Sequence, residues 1–187
     1  MSFISGKNNN FRFHFPRIFV PEEYEQKYAP LLKRIPGCMC ETVVDFINYS
    51  IKGVELNVSP QQEVIEQVDR GTPFTRVSRS DAYPDLLWNR EMTITFQLDS
   101  TYLIWFILCD LFMYYYCIKS KYLPKAPGME VLDMYNKVIY RVTFEDLLFL
   151  SVSGLEFDFS SNEIDQKVLT TTWRSNKVSV VIEPSKV

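Results

Sequence analysis

The one histidine of this chain, His14, stands between Phe13 and Phe15 and two positions from Arg12. A single imidazole rules out metal sites built on two or more histidines and leaves little for a Ser-His or Cys-His dyad. Four cysteines are present. Cys38 and Cys40 are spaced C-x-C, unlike the C-x-x-C of zinc ribbons and redox sites, and no second pair answers them. Cys109 and Cys117 lie in an apolar run, where a thiol behaves as a small hydrophobe. The carboxylate pairs Glu22-Glu23 and Glu145-Asp146 are adjacent in sequence, which suits a helix N-terminus and a solvated strand end better than a glycosidase-type acid pair. No GxGxxG, P-loop or HExxH occurs. The expectation is a protein that is not an enzyme and that uses no cofactor and no metal.

Composition turns attention to packing. The chain has 187 residues, 47% of them hydrophobic, with 14 Phe, 11 Tyr and 3 Trp. That length fits one domain (1–187) with a substantial core, and the aromatic share favours sheet packing and large interfaces. A formal net charge of −3 does not describe a nucleic-acid clamp, although a mildly acidic protein suits DNA that must slide past. With no signal peptide at the start, synthesis in a reducing cytosol is expected.

The elements follow from periodicity. Residues 1–10 read as a polar N-terminal arm. Phe11, Phe13 and Phe15 alternate as a strand, and beyond Pro16 the apolar parity passes to Ile18 and Val20, as a bulge or bend would require. Pro21 and the two glutamates after it open a helix carrying Tyr24, Tyr28 and Leu31, which Pro30 is expected to kink or split. Thr42 caps a second helix with Val43, Phe46 and Ile47 inward. Val54, Leu56 and Val58 mark a strand. Residues 59–90, mixed in charge and interrupted by prolines, read as a long loop or hairpin arm. Met92, Ile94, Phe96 and Leu98 form the clearest central strand, and Asp99-Ser100-Thr101 offers a cap for a flanking helix at 101–118. Four strands then follow at about 130–135, 138–144, 150–160 and 167–182, with Asn136-Lys137 as a two-residue turn. The last strand changes parity between Trp173 and Val178, which a bulge within one long strand explains. In Gly154–Ser160, Leu155, Phe157 and Phe159 oppose Glu156 and Asp158, so one face is dry and the other acidic.

The run from Tyr102 to Ile118 is apolar almost all round, broken by Asp110. A membrane span needs about 20 apolar residues, and an Asp at mid-bilayer costs about 2.5–3.5 kcal/mol. The run is short for that task, and its three consecutive tyrosines, Tyr114 to Tyr116, sit at one end only. A helix apolar on every face is otherwise buried on every side. The expectation is a helix packed on its own sheet and on a neighbouring copy, and not on a membrane; a membrane-anchored protein is the rival class.

The stretch Arg141-Val-Thr-Phe-Glu-Asp-Leu-Leu-Phe-Leu-Ser-Val-Ser-Gly-Leu-Glu-Phe-Asp-Phe-Ser-Ser161, followed by Val168-Leu-Thr-Thr-Thr-Trp-Arg-Ser-Asn-Lys-Val-Ser-Val-Val181, resembles the C-terminal half of bacteriophage tail tube proteins. Phe144, Gly154, Leu155, Phe157, Ser160 and the Thr170–Trp173 segment occupy comparable places. Leu150 or a neighbour stands where that family has proline, and Trp173 where it commonly has Phe. The layout is also similar to the stacked tail-ring proteins of crAss-like phages. The resemblance implies a mainly β, tail tube-like two-sheet antiparallel barrel or sandwich with a flanking helix and extended arms. It implies a structural virion protein, built in the host bacterial cytoplasm into a hexameric or dodecameric ring of a phage tail. Its partners would be other tail or portal-proximal ring proteins, with DNA passing transiently and non-specifically during ejection. A tail adaptor, hub or completion ring and a contractile secretion tube subunit are the nearest alternatives. On this view Glu156 and Asp158 face the lumen, with Glu145 and Asp146 as weaker candidates. Trp105, Phe106, Phe112 and Tyr115 would lie at the subunit interface, and Arg70, Arg76 and Arg79 on an arm reaching the adjacent ring.

Overall fold

The computed structural model describes residues 11–35, 37–60, 64–68, 76–80, 88–118, 122–123, 127–133, 135–155 and 168–182; for 57–60, 64–68, 76–80 and 88–89 it describes the backbone alone. Its strands are β1 (Phe11–His14), β2 (Ile51–Pro60), β3 (Val64–Val68), β4 (Arg76–Ser80), β5 (Trp88–Gln97), β6 (Gly128–Leu132), β7 (Val138–Val152) and β8 (Val168–Ile182). Its helices are α1 (Glu22–Leu32), α2 (Val43–Ser50) and α3 (Leu103–Cys117). Six strands form one antiparallel sheet in the order β1-β6-β7-β8-β5-β2, which curls into a nearly closed barrel, while β3 and β4 pair as a separate hairpin. The expected mainly β architecture with a flanking helix is the observed one.

Alternation explains the central strands. Met92, Ile94 and Phe96 of β5 are buried, as are Leu169, Thr171 and Trp173 of β8. Full burial of each such apolar side chain is worth about 1.5–3 kcal/mol. Thr171 sits among them without penalty because its hydroxyl accepts the Trp173 indole N–H at 2.7 Å and donates to the Ile94 carbonyl at 3.4 Å. Trp173 stacks on Phe149 with centroids 3.7 Å apart and also meets Phe15 and Phe19. One indole thereby joins β7, β8 and the chain just after β1.

The sheet turns a corner where parity changes on two strands at once. On β7 the buried positions pass from Val142 and Phe144 to Leu147 and Phe149, with Asp146 between them at φ 50. On β8 the inward positions pass from the half-buried Val178 to the buried Ser175 and Trp173, across from the same point. The Ser175 hydroxyl lies 2.7 Å from both the Glu145 and the Lys177 carbonyl oxygens, so its one proton bridges the two strands at the bend. The last strand is one continuous strand, as expected, but the expected bulge is not on it: the register is unchanged across Lys177 to Trp173, and the added residue lies on β7 between Phe149 and Ser151.

Several expectations are corrected. The separate strands at 138–144 and 150–160 are one strand, Val138–Val152, because Asp146 absorbs the parity change that looked like a break; Leu155 lies beyond its end. The β6–β7 turn is longer than Asn136-Lys137: the Asp133 N–H donates to the Lys137 carbonyl at 2.8 Å, and Asn136 takes φ 62. Asparagine tolerates that left-handed conformation, and the Asp133 carboxylate accepts from the Tyr135 and Lys137 amides. After Pro16 the chain forms a 3-10 turn over Arg17–Phe19 instead of continuing as strand, so Phe19 is buried and Ile18 exposed. Helix α1 runs through Pro30 without a break. Pro21 serves as its N-cap residue, and Thr42 caps α2 by accepting the Asp45 amide at 3.1 Å. The N-terminal arm 1–10 lies outside the described residues.

Truncating the central indole tests this account. Trp173→Ala should cost about 3–5 kcal/mol in urea unfolding, because it empties a filled site and removes the donor that the Thr171 hydroxyl accepts. Trp173→Phe should recover more than half of that loss.

Candidate assembly surface

Helix α3 begins against a preformed set of acceptors. The Asp99 carboxylate accepts the Thr101 amide at 2.9 Å and the Ile104 amide at 3.2 Å, which satisfies donors that a helix start leaves orphaned. Tyr102, at the N-cap position, is held at φ 56. A bulky residue in that region costs about 1–3 kcal/mol, so the Asp99 bonds offset a real strain.

Each face of α3 meets something different. Ile104, Ile107, Leu108, Leu111 and Tyr115 are buried, and the Tyr115 hydroxyl donates to the Phe19 carbonyl at 2.7 Å. On one flank the Trp105 indole donates to the Ser153 carbonyl at 3.1 Å, and Phe112 packs edge-on against Phe149 at 5.3 Å. On the other, Asp110 accepts from Lys27 at 2.5 Å and from the Tyr28 hydroxyl at 2.6 Å, while Tyr114 meets Tyr24 at 5.7 Å. The charge that interrupts the apolar run is thus the tie between α3 and α1. The remaining face carries Phe106, Met113 and Tyr116, which are 51%, 56% and 61% exposed. Their spacing aligns them along one stripe, and this stripe is apolar and uncovered. Among the described residues, no helix is long and apolar enough to cross a membrane.

The sheet has open edges as well. β8 pairs with β5 only over Val168–Arg174, whereas its pairing with β7 continues to Ile182. Beyond Arg174, one edge of β8 has no strand beside it among the described residues. Val180, Val181 and Ile182 there are exposed, a β-branched edge of the kind that recruits another strand. β1 and β2 end the sheet at its two margins.

A groove of about 770 Å³ opens at the junction of the α1–α2 connection, α2 and the end of β5. Its apolar lining includes Met39, Phe46 and Leu98, and its carboxylates are Glu41, Asp45 and Asp99, with no Lys or Arg among the residues lining it. Met39 is 94% and Tyr49 85% exposed. Burial pushes the Cys40 thiol up to about 11, with the Cys38 thiol beside it adding to the shift, so the Cys40 sulfur reads as protonated lining and not as a nucleophile.

The structure separates the residues singled out from sequence. Phe106 lies on the open stripe, Trp105 and Phe112 are half-buried on its flank, and Tyr115 faces the opposite way. The fold itself covers Tyr115, so it can support an interface from beneath but not form one. Glu145 is half-buried, with Lys177 at 3.0 Å and the Ser179 hydroxyl at 3.3 Å; Asp146 is exposed. Glu156, Asp158 and Arg70 lie outside the described residues; Arg76 and Arg79 are on β4, whose backbone alone is described. Reasoning from sequence missed Met113 and Tyr116 as exposed, and it missed the groove. The one charge in this helix, Asp110, turns to α1 and so does not mark the open side. Among the described residues, no group of His, Cys, Asp and Glu is arranged to hold a metal.

No protein-family model matches the sequence, and no curated protein matches it. Solved structures similar to the chain include one from the anti-feeding prophage baseplate, at 13% identity and a TM-score of 0.44, covering 71% of this chain and 78% of that one. Another comes from the sheath–tube complex of the extracellular contractile injection system PVC in its extended state, at 14% identity and 0.43, covering 71% and 81%. Hcp1 from Flavobacterium johnsoniae is similar at 14% and 0.34, covering 70% and 84%.

The Asp110 tie has a pH signature. Burial raises its carboxyl, but the bonds from Lys27 and Tyr28 outweigh that and hold it below the ordinary value. A depressed folded-state pKa contributes stability above the unfolded value of about 3.9, and that contribution is lost as pH falls through the folded value. Urea titrations at descending pH should show Asp110→Asn losing stability less steeply below about pH 4 than the parent protein. The difference should be at most about 1 kcal/mol, since the pair is partly solvated.

Proposed function

We propose that this chain is a structural subunit of a ring or tube in a phage tail or a related injection device. The observation that carries the reading is the outer stripe of α3: Phe106, Met113 and Tyr116 are apolar, aligned and more than half exposed. Single exposed hydrophobes need no explanation, but an aligned stripe of them on a helix whose one charge is already tied to α1 marks a contact surface. The unpaired end of β8 supports the same conclusion, because a strand edge that stops short of its neighbour can be completed by a second copy. Stable interfaces bury about 1,600 Å² in total, and rings use aromatic residues freely at their contacts. Trp105 and Phe112 would rim this interface, with Phe106 at its centre.

A closed ring of such sheets encloses a channel, and the cargo we assign to it is DNA leaving a virion. An acidic wall suits that cargo because phosphates are repelled and do not adhere in passing. Glu156 and Asp158 carry the lumen assignment. Glu145 contributes little, since Lys177 compensates its charge at 3.0 Å, and Asp146 is the better of that pair. Assembly takes place in the host cytoplasm, and the mature location is the tail.

Two experiments test the two levels of this proposal. Negative-stain microscopy of the purified protein should show rings or tubes, and Phe106→Glu combined with Met113→Glu should abolish them. The melting temperature should move by only a few degrees, because both side chains are exposed in the single chain. A parent protein that stays a monodisperse monomer removes the ring reading. Charge reversal with Glu156→Lys and Asp158→Lys should slow or arrest DNA ejection from particles that carry the variant; unchanged ejection removes the lumen assignment alone.

A further inference from the structure

We infer that the acidic groove beside α2 is a docking site for a basic, apolar segment of a different protein. Three stretches of chain build it. After α1, Gly37 turns the backbone at φ 78 and the Cys38 N–H donates to the Ile35 carbonyl at 3.2 Å, which sets residues 37–41 along one side. α2 supplies the second side, with Asp45 and Tyr49 one turn apart on its exposed face. Leu98 and Asp99, which follow β5, close the third. The buried Phe46 and the half-buried Ile35 and Leu98 give the groove an apolar interior. Met39 and Tyr49, at 94% and 85%, are the two most exposed large apolar side chains among the described residues, and both line this one groove. Scattered exposed hydrophobes carry no message, but two gathered at one recess mark a contact surface, and Met and Tyr are both favoured in interfaces.

The carboxylates Glu41, Asp45 and Asp99 fix the charge of the occupant. No Lys or Arg lies among the lining residues, so a phosphate-bearing ligand is repelled. Among the described residues no three such groups converge as a metal ion requires, so separate ammonium or guanidinium groups must meet these charges one at a time. A purely apolar occupant would strip water from the carboxylates without pairing them, which is costly. Two of the three are held in place: Asp45 accepts the Thr42 hydroxyl at 2.6 Å, and Asp99 accepts the Thr101 and Ile104 amides at 2.9 and 3.2 Å. A carboxylate offers about four lone-pair sites, so each keeps capacity for a partner. An extended peptide sends alternate side chains to opposite sides. Alternating basic and apolar residues therefore present one row to the apolar interior and the other to the acidic rim. The choice of a different protein over another copy rests on the ring reading above, which gives the open face of α3 and the free edge of β8 to copy-to-copy contacts.

Fluorescence anisotropy of short labelled peptides on the full-length protein is the readout. A peptide alternating lysine with leucine and phenylalanine should bind, and binding should weaken as salt rises. The same design with glutamate in place of lysine, or with serine in place of the apolar residues, should bind about tenfold more weakly or worse. Glu41→Lys and Tyr49→Ala, made singly, should each weaken the lysine–apolar peptide by a similar factor. Glu55→Lys, an equal charge change at an exposed residue outside the groove, should leave it unchanged. Glu41 and Tyr49 are exposed, so folding is not at stake, and thermal melts of the variants control for it. Equal binding of the lysine–serine peptide overturns the inference, as does equal binding to the parent and the Glu41→Lys protein. Self-association of the parent that Glu41→Lys abolishes also overturns it, because the groove then belongs to another copy. A parent protein that forms no rings but binds the peptide through this groove removes the ring reading and leaves the docking site standing.

Discussion

The contact of Trp173 with Phe149, Phe15 and Phe19 is the constraint on which the rest of the molecule depends. It lies where the curled sheet, the N-terminal strand and the flanking helix converge. Phe149 passes the contact to Phe112 and Phe19 passes it to Tyr115, so α3 is positioned from two directions by one aromatic cluster. Because the indole N–H is satisfied through Thr171, this interior tolerates a polar tip without exposing it. A helix anchored in this way has no freedom to rotate its uncovered face inward.

That fixed orientation creates the assembly problem. Lys27, Tyr28 and Tyr24 cover one flank of α3, the sheet covers another, and the buried stripe rests on the core. The stripe of Phe106, Met113 and Tyr116 is what remains. The polar tie through Asp110 matters here for specificity more than for energy: it sets which apolar side of α3 points at α1 and therefore which points away. The corner at Asp146 and Ser175 acts on the sheet in a comparable way, because it changes which residues of β7 and β8 face the interior.

Much of this was legible in the residues. Strict alternation at Met92, Ile94 and Phe96 marks a strand, and Thr42 followed by an apolar helical spacing marks a capped helix. Where legibility failed, two readings shared one local pattern. Phe144, Leu147 and Phe149 look like two strands because a parity change reads as a break, yet a single residue at positive φ accommodates it within one strand. Ile18 and Phe19 are equally apolar, and only the 3-10 turn after Pro16 decides that Phe19 goes in. Pro30 signals a kink, but it falls in the last turn of α1, where little helix remains to break.

From the chain alone came the strand periods, the caps, the excess of apolar surface on residues 102–118 and the scarcity of groups for catalysis. These are local properties, set by side-chain chemistry and by the two-fold and 3.6-fold repeats of the backbone. Tertiary structure decided which side of α3 stays open, where the β5–β8 pairing stops, that Lys177 compensates Glu145, and that a groove opens between the α1–α2 connection, α2 and the end of β5. Each of those depends on residues far apart in sequence arriving at one place, and no local pattern encodes their distance.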